Sequence, residues 1–149
     1  MLKKFVLWGH TLKDYQEMFN LSDEILIDNR IVEYGAGATS FNFEMQQLGH
    51  KVVSIDPMYA LNRSEIKNIV EETFETTVSK IKSNIDKYNW KSYGDLTSLL
   101  EERRQGLELF YNDFDLGRQQ GRYLSFDEGQ ALEIEDYSFD LALITHHLF

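Results

Sequence analysis

The sequence predicts an α/β fold, a doubly wound parallel sheet, and three observations carry that expectation. A short β-branched run, Arg30-Ile31-Val32-Glu33-Tyr34, passes directly into a turn of small residues, Gly35-Ala36-Gly37-Ala38. A helical pattern begins at once, from Thr39. A second strand, Lys51-Val52-Val53-Ser54-Ile55, follows and is stopped by Asp56-Pro57. Strand, turn, helix and strand in so short a span leave room only for a right-handed crossover between parallel strands.

The elements follow in order along the chain. Thr11 can cap a short helix running to Phe19, with Leu12, Tyr15 and Phe19 on one face. Residues 20–29 read as a polar connection with a few apolar anchors. The helix after the glycine turn has Phe41, Met45 and Leu48 at i, i+4 and i+7, and Gly49 stands where a left-handed cap is needed. Residues 62–88 predict one long helix with an apolar stripe through Ile66, Ile69, Val70, Phe74, Val78, Ile81, Ile85 and Tyr88. Asn62 and Glu65 form a capping box at its start. Residues 90–94 break the pattern. A second helix, Leu96 to Phe114, turns Leu99, Leu100, Leu107, Phe110, Tyr111 and Phe114 inward and is weakened locally by Gly106. Residues 62–116 are thus a helical insertion between the second and third strands. Strand signals return at 122–125 and 139–145, where Leu141 to Ile144 form the apolar run of a strand buried on both faces. The expected strand order is 3-2-1-4, counted along the chain.

Composition sets the outer limits. The 149 residues, 42% of them hydrophobic, suffice for one domain spanning 1–149 with a real core. A formal net charge of -10 repels phosphate backbones, so broad nucleic-acid binding is not expected. The absence of cysteine excludes disulfides, thiolate metal sites and a thiol nucleophile. The four histidines, His10, His50, His146 and His147, show no clear ligand spacing, so no metal is expected. No run approaches the ~20 apolar residues that span a bilayer, and the N-terminus lacks the features of a signal peptide. A cytoplasmic protein without a membrane partner is the expectation.

The chemistry gathers at the glycine turn. Small residues between a strand and a helix let backbone approach a ligand closely, beside the free N–H groups of the helix N-terminus. Asp56 ends the next strand, where a carboxylate in a doubly wound sheet can accept the ribose hydroxyl hydrogens of a bound nucleoside. This fits either a dinucleotide oxidoreductase or a methyltransferase. Ser40 occupies the third position of the Gly-x-Gly-x-x-Gly pattern, where a closely held pyrophosphate prefers glycine or alanine. Glu33, just before the turn, is unwelcome beside a pyrophosphate and suits the ammonium of a methionine moiety. Both features disfavour a NAD-type oxidoreductase.

With these residues in place, a family resemblance is visible. The segment Glu33-Tyr34-Gly35-Ala36-Gly37 resembles motif I of class I S-adenosylmethionine (SAM) dependent methyltransferases, and Ile55-Asp56-Pro57 resembles their acidic loop. Residues 128–141 are similar to the segment leading from the adenine-contacting acid into the fourth strand, with Glu133 and Ile134 departing from its usual Pro-Phe. Residues 7–21 resemble the N-terminal helix that closes over the cofactor in some bacterial members.

The resemblance implies SAM as cofactor and a role for each matching residue. Glu33 would face the methionine amino group, and the backbone of Gly35, Ala36 and Gly37 would run along the methionine and ribose. Asp56 would hold the ribose hydroxyls and Met58 would pack on the adenine. Asp127 or Glu128 would approach the adenine amine, with Gln130 beside it. Tyr15 would belong to the lid. His146, a candidate catalytic base, would face the transferred methyl. Catalysis in this family is mainly alignment of nucleophile, methyl and sulfur. The complete family fold has seven strands and four are counted here. The chain is therefore expected to be a C-terminally truncated member whose methyl acceptor is unknown. A non-catalytic SAM-binding or interaction module is the alternative. An apolar fourth strand at the sheet edge is expected to be covered in a homo-oligomer or by a separate C-terminal fragment.

Overall fold

A computed structural model describes residues 8–127, 129 and 131–145. Its centre is a four-stranded parallel sheet of β1 (Ile31–Tyr34), β2 (Val52–Ile55), β3 (Tyr123–Leu124) and β4 (Leu141–Ile144). The order is β3-β2-β1-β4, the 3-2-1-4 arrangement of a Rossmann-like α/β fold. β1 lies between β2 and β4, with Ile31 opposite Val52 and Leu141, and Tyr34 opposite Ile55 and Ile144. β3 pairs only Tyr123 and Leu124 with Ser54 and Ile55. The chain reverses its direction of winding between β1 and β4, so the ligand crevice of such sheets falls at the carboxyl ends of these strands.

The helices are α1 (Leu12–Phe19), α2 (Asp23–Asp28), α3 (Phe41–Gln47), α4 (Arg63–Lys82) and α5 (Leu96–Gln119). Thr11 and Asp14 close a capping box on α1, and Asn62 and Glu65 close one on α4. Residues 20–29, expected as a connection, contain α2, which starts at a Ser22 side-chain cap and is held by buried Leu26. Six residues are too few for a periodic signal.

Two other helices end elsewhere than expected. α4 stops at Lys82 and not near residue 88. Ser83 and Asn84 donate from their side chains to the carbonyls of Ser79 and Lys80, which satisfies groups that would otherwise continue the helix. A 3-10 turn, Ile85–Lys87, follows. Ile85, beyond the helix end, is exposed, and so is Ile69 within α4, while Ile66, Val70, Phe74 and Ile81 enter the core. α5 begins at an Asp95 cap and runs past Phe114 to Gln119. Leu48, expected inward, is 60% exposed because α3 ends at Gln47 and Gly49, at φ +83, turns the chain away.

Gly106 is a packing requirement more than a weak point. A Cβ there would lie 2.2 Å from the Gly9 carbonyl oxygen, and a Cβ on Gly9 would lie 2.2 Å from the Arg103 oxygen. Only two glycines let the segment before α1 lie flat on α5. β4 also departs from expectation. Leu143 is buried, but Ala142 and Ile144 are exposed, so the strand is covered on one face only. In register they stand beside Val32 and Tyr34, which are half-buried.

One apolar cluster joins Tyr15, Leu26, Ile31, Phe41, Met45, Val52 and Leu143 across α1–α3 and the sheet. A second joins α4 and α5 to Tyr59 and Tyr123. No helix among the described residues is long and apolar enough to cross a membrane.

Candidate functional site

The glycine turn is built by residues from four parts of the chain. Gly35 and Gly37 have φ of +68 and +64, conformations that other residues rarely adopt. The Gly35 N–H donates to the Ile55 carbonyl at 2.9 Å. The Asp56 carboxylate accepts from the backbone N–H of Gly37 and of Met58, both at 2.9 Å. Tyr59 and Thr145 donate their hydroxyls to the carbonyls of Gly37 and Gly35, each at 2.6 Å. The segment before α1 lies over the turn: the Gly9 N–H donates to the Ala38 carbonyl at 2.8 Å, and the Ser40 N–H to the His10 carbonyl at 2.9 Å. Residues 35–40 are all buried as a result.

Glu33 is the unusual group of the site. Its side chain is 1% exposed at the end of β1. The Ser54 hydroxyl donates to Oε1, while Oε2 makes no hydrogen bond of ordinary geometry. The Tyr15 hydroxyl is also buried without such a bond, though the two groups are near enough to influence each other's ionisation. Burial pushes the Glu33 carboxyl up to about 7. The Ser54 and Tyr15 hydroxyls oppose the rise, and the Asp56 charge adds to it.

Behind Glu33 runs a buried polar chain. Asn42 donates to the Ser54 hydroxyl at 2.7 Å and accepts from Arg122 at 2.6 Å. Arg122 grips both oxygens of Asp113 at 2.7 and 2.6 Å, and the Tyr123 hydroxyl also donates to Asp113. Glu33 on β1 is thereby tied to α5 through β2, α3 and Arg122, the residue before β3. Sequence reasoning missed Asn42, Asp113 and Arg122. Ser54, a polar residue inside the apolar run Val52–Ile55, was the one visible signal.

The structure brings Tyr15, Glu33, Gly35, Ala36, Gly37, Asp56 and Met58 together at one end of the sheet. Tyr15, expected in a lid, is wholly buried and stacks on Phe41 with ring centroids 4.4 Å apart, so α1 is packed down on α3. Met58 is half-buried against the α4–α5 cluster. Asp127 is exposed three residues beyond β3 and lines a cavity of about 310 Å³ with Leu124, Phe126 and Ala131. Glu128, Gln130 and His146 lie outside the described residues. Among the described residues no three His, Asp or Glu side chains are grouped to hold a metal ion.

No family model matches this sequence. The uncharacterized protein MJ0045 of Methanocaldococcus jannaschii is 24% identical over 148 residues, which cover 99% of this chain. The chain spans 65% of that relative's length. No solved structure matches.

Proposed function

We propose that this chain binds SAM at the carboxyl ends of β1 and β2 and forms the cofactor-binding part of a cytoplasmic methyltransferase. The observation that carries the reading is Glu33: a buried carboxylate with one unbonded oxygen, beside a left-handed glycine turn, at the point where the sheet reverses its winding. A buried carboxylate of that kind is matched by an ammonium group, which supplies both the missing hydrogen bond and the opposite charge. A group with an amino-acid end and a ribose fits these residues.

Bound SAM supplies an activated methyl and a neutral sulfide as leaving group. The protein's part is orientation. Glu33 takes the ammonium. The Ser54–Asn42–Arg122–Asp113 chain keeps its carboxylate from rotating. Asp56 fixes the turn through two backbone N–H groups, and its oxygens can each accept a further bond from a ribose hydroxyl. Because residues 35–40 are buried, the Gly9–Phe19 segment must lift from the turn to admit the ligand and then exclude water on closing.

A second reading, a SAM-binding module that acts only with another chain, draws on β4. Ile144 is 43% exposed on a strand at the sheet edge. A second copy or a separate C-terminal fragment would cover it. The methyl acceptor would then be bound partly by that chain.

Titration calorimetry with SAM, S-adenosylhomocysteine and NAD tests the proposal. SAM and its demethylated product should bind and NAD should not. Asp56→Ala should weaken SAM by roughly 1–3 kcal/mol, the scale of lost charge-assisted hydrogen bonds. Unchanged affinity in that variant, or a preference for NAD, refutes the assignment.

A further inference from the structure

The segment from Trp8 through α1 is fastened to the rest of the chain at a few points. The Gly9 N–H reaches the Ala38 carbonyl and the Ser40 N–H reaches the His10 carbonyl, at 2.8 and 2.9 Å. The Leu12 N–H donates to the Glu44 carboxylate. Arg103 of α5 donates to Asp14 at 2.5 Å, and the Tyr93 hydroxyl donates to it as well. The segment ends at Asn20, whose left-handed backbone, φ 53 and ψ 48, closes α1 before α2 begins.

Glu33 lies beneath α1. Ile31, two residues before it on the same face of β1, packs with Tyr15 and Phe41. The Tyr15 hydroxyl stands against the Glu33 carboxyl, with the Thr39 and Thr145 side chains close by. From the sheet, Ser54 donates to one carboxyl oxygen.

The walls around this carboxyl differ in how firmly they are held. β2 is paired on both sides, to β1 and β3. α3 is pinned by Asn42, whose buried amide donates to the Val52 carbonyl, the Ser54 hydroxyl and the Arg122 carbonyl. The deepest polar contact of α1 is the Arg103–Asp14 pair. When such a pair separates into water both ions regain hydration, so its loss costs much less than removal of one partner would. Lifting α1 is therefore the easiest way to bring water to Glu33.

Ionisation supplies the drive, because a sealed carboxylate lacks its hydration. Burial pushes Glu33 up to about 7, opposed by the Ser54 and Tyr15 hydroxyls and reinforced by the Asp56 charge. Tyr59 and Tyr123 feel the same charge, and both phenols, raised chiefly by burial, stay protonated. Closure over Glu33 is thus fully favoured below about 4.5, and that advantage is lost as pH climbs through about 7. On the segment itself, burial holds the His10 imidazole low, so its ionisation favours release in acid, the opposite sense. Burial raises Glu44, which acts in the same sense as Glu33. Burial pushes Asp14 up, but the His10 ring, the Arg103 charge and the Tyr93 hydroxyl outweigh it and keep it ionised throughout.

We propose that residues 8–19 form a strap over the glycine turn, and that ionisation of Glu33 beneath it releases the strap. The site then opens with the carboxylate charged, the form that can take a cation. The release belongs to the chain without ligand and does not rest on the SAM reading.

Hydrogen exchange at the Gly9 and Ser40 amides, which bond across the strap, tests the proposal. It is followed by NMR between pH 5 and 8 in the parent and in Glu33→Gln, with intrinsic rates divided out. The ratio of the two opening constants, parent over variant, cancels His10 and Glu44. It should rise about tenfold per pH unit at its steepest, between pH 5 and 7, and level off above. Exchange at these amides should respond less to urea than exchange at Phe110 in α5, because release exposes less surface than unfolding. A pH-independent ratio overturns the proposal. So does equal urea dependence at all three amides, which would mean that Glu33 meets water only when the whole chain unfolds. A Glu33→Gln chain that fails to fold overturns it too, since glutamine keeps the shape and should seat the strap more firmly.

Discussion

Replacing Glu33 with glutamine should stabilise the folded chain at pH 8 and leave it nearly unchanged at pH 4. The carboxyl is 1% exposed and its pKa is raised from 4.5 to about 7, chiefly by burial. A carboxyl raised in the folded state holds its proton more tightly there than in the unfolded chain. Its stabilising contribution is full below about 4.5, and it is lost as pH climbs through about 7. At ~1.4 kcal/mol per unit, the loss amounts to roughly 3 kcal/mol by pH 8. Glutamine keeps the shape and stays neutral. Its carbonyl can still accept from Ser54, and its amide can donate to the Tyr15 hydroxyl. The variant and the parent should therefore match near pH 4 and diverge by about 3 kcal/mol as pH rises to 8. Urea unfolding at half-unit pH intervals measures this directly. The difference between the two proteins is the readout, so acid sensitivity common to both cancels. Parallel stability curves from pH 4 to 8, or a variant less stable at pH 8, would refute the claim that Glu33 is held uncharged at a cost to ionisation. The same substitution should weaken SAM, because a neutral amide cannot pair with an ammonium. Gained stability with lost binding distinguishes a ligand-facing carboxylate from a merely misplaced one.

Two further outcomes follow from buried contacts. Gly106→Ala should destabilise the chain by about 1–3 kcal/mol, since its methyl would overlap the Gly9 backbone and force the two segments apart; a thermal melt at or above the parent value would show that the N-terminal segment is not seated on α5. Asp113→Ala leaves the Arg122 guanidinium buried without its carboxylate and should lower stability by about 3–5 kcal/mol; denaturant unfolding that shows less than 1 kcal/mol would mean water reaches Arg122.

The strand–turn–helix–strand segment was legible because everything that defines it is local. Glycines at 35 and 37, β-branched residues before them and Asp56 after β2 act within a few residues of one another. The order of the sheet followed from the hand of the crossover. What escaped notice depends on partners far away in the chain. Asn42 looked like an ordinary helix residue, yet its amide oxygen accepts from Arg122, 80 positions later. Gly106 looked like a flaw because Gly9, its reason for being there, belongs to a different segment. The end of α4 was misjudged for a different cause: the apolar period continues to Tyr88, and only the side-chain bonds of Ser83 and Asn84 show that the backbone does not. Glu33 was singled out for its position before the turn, but nothing local reveals that it is sealed from water.

β1 is assembled in two instalments. Its pairing with β2 requires only the neighbouring crossover, whereas its other edge waits for β4, and Arg30 finds Asp140 across 110 positions. At ribosomal speeds of ~5–20 residues per second, roughly 5–20 s separate the emergence of those two residues. Through that interval Ile31 to Tyr34 offer a bare row of amides and carbonyls, and Thr145 has not yet reached the Gly35 carbonyl. Contacts so distant in sequence also close slowly once the chain is free. The nascent protein therefore passes through a stage in which the central strand of the finished sheet is an outer one, and a chaperone that shields extended segments would be most useful during those seconds.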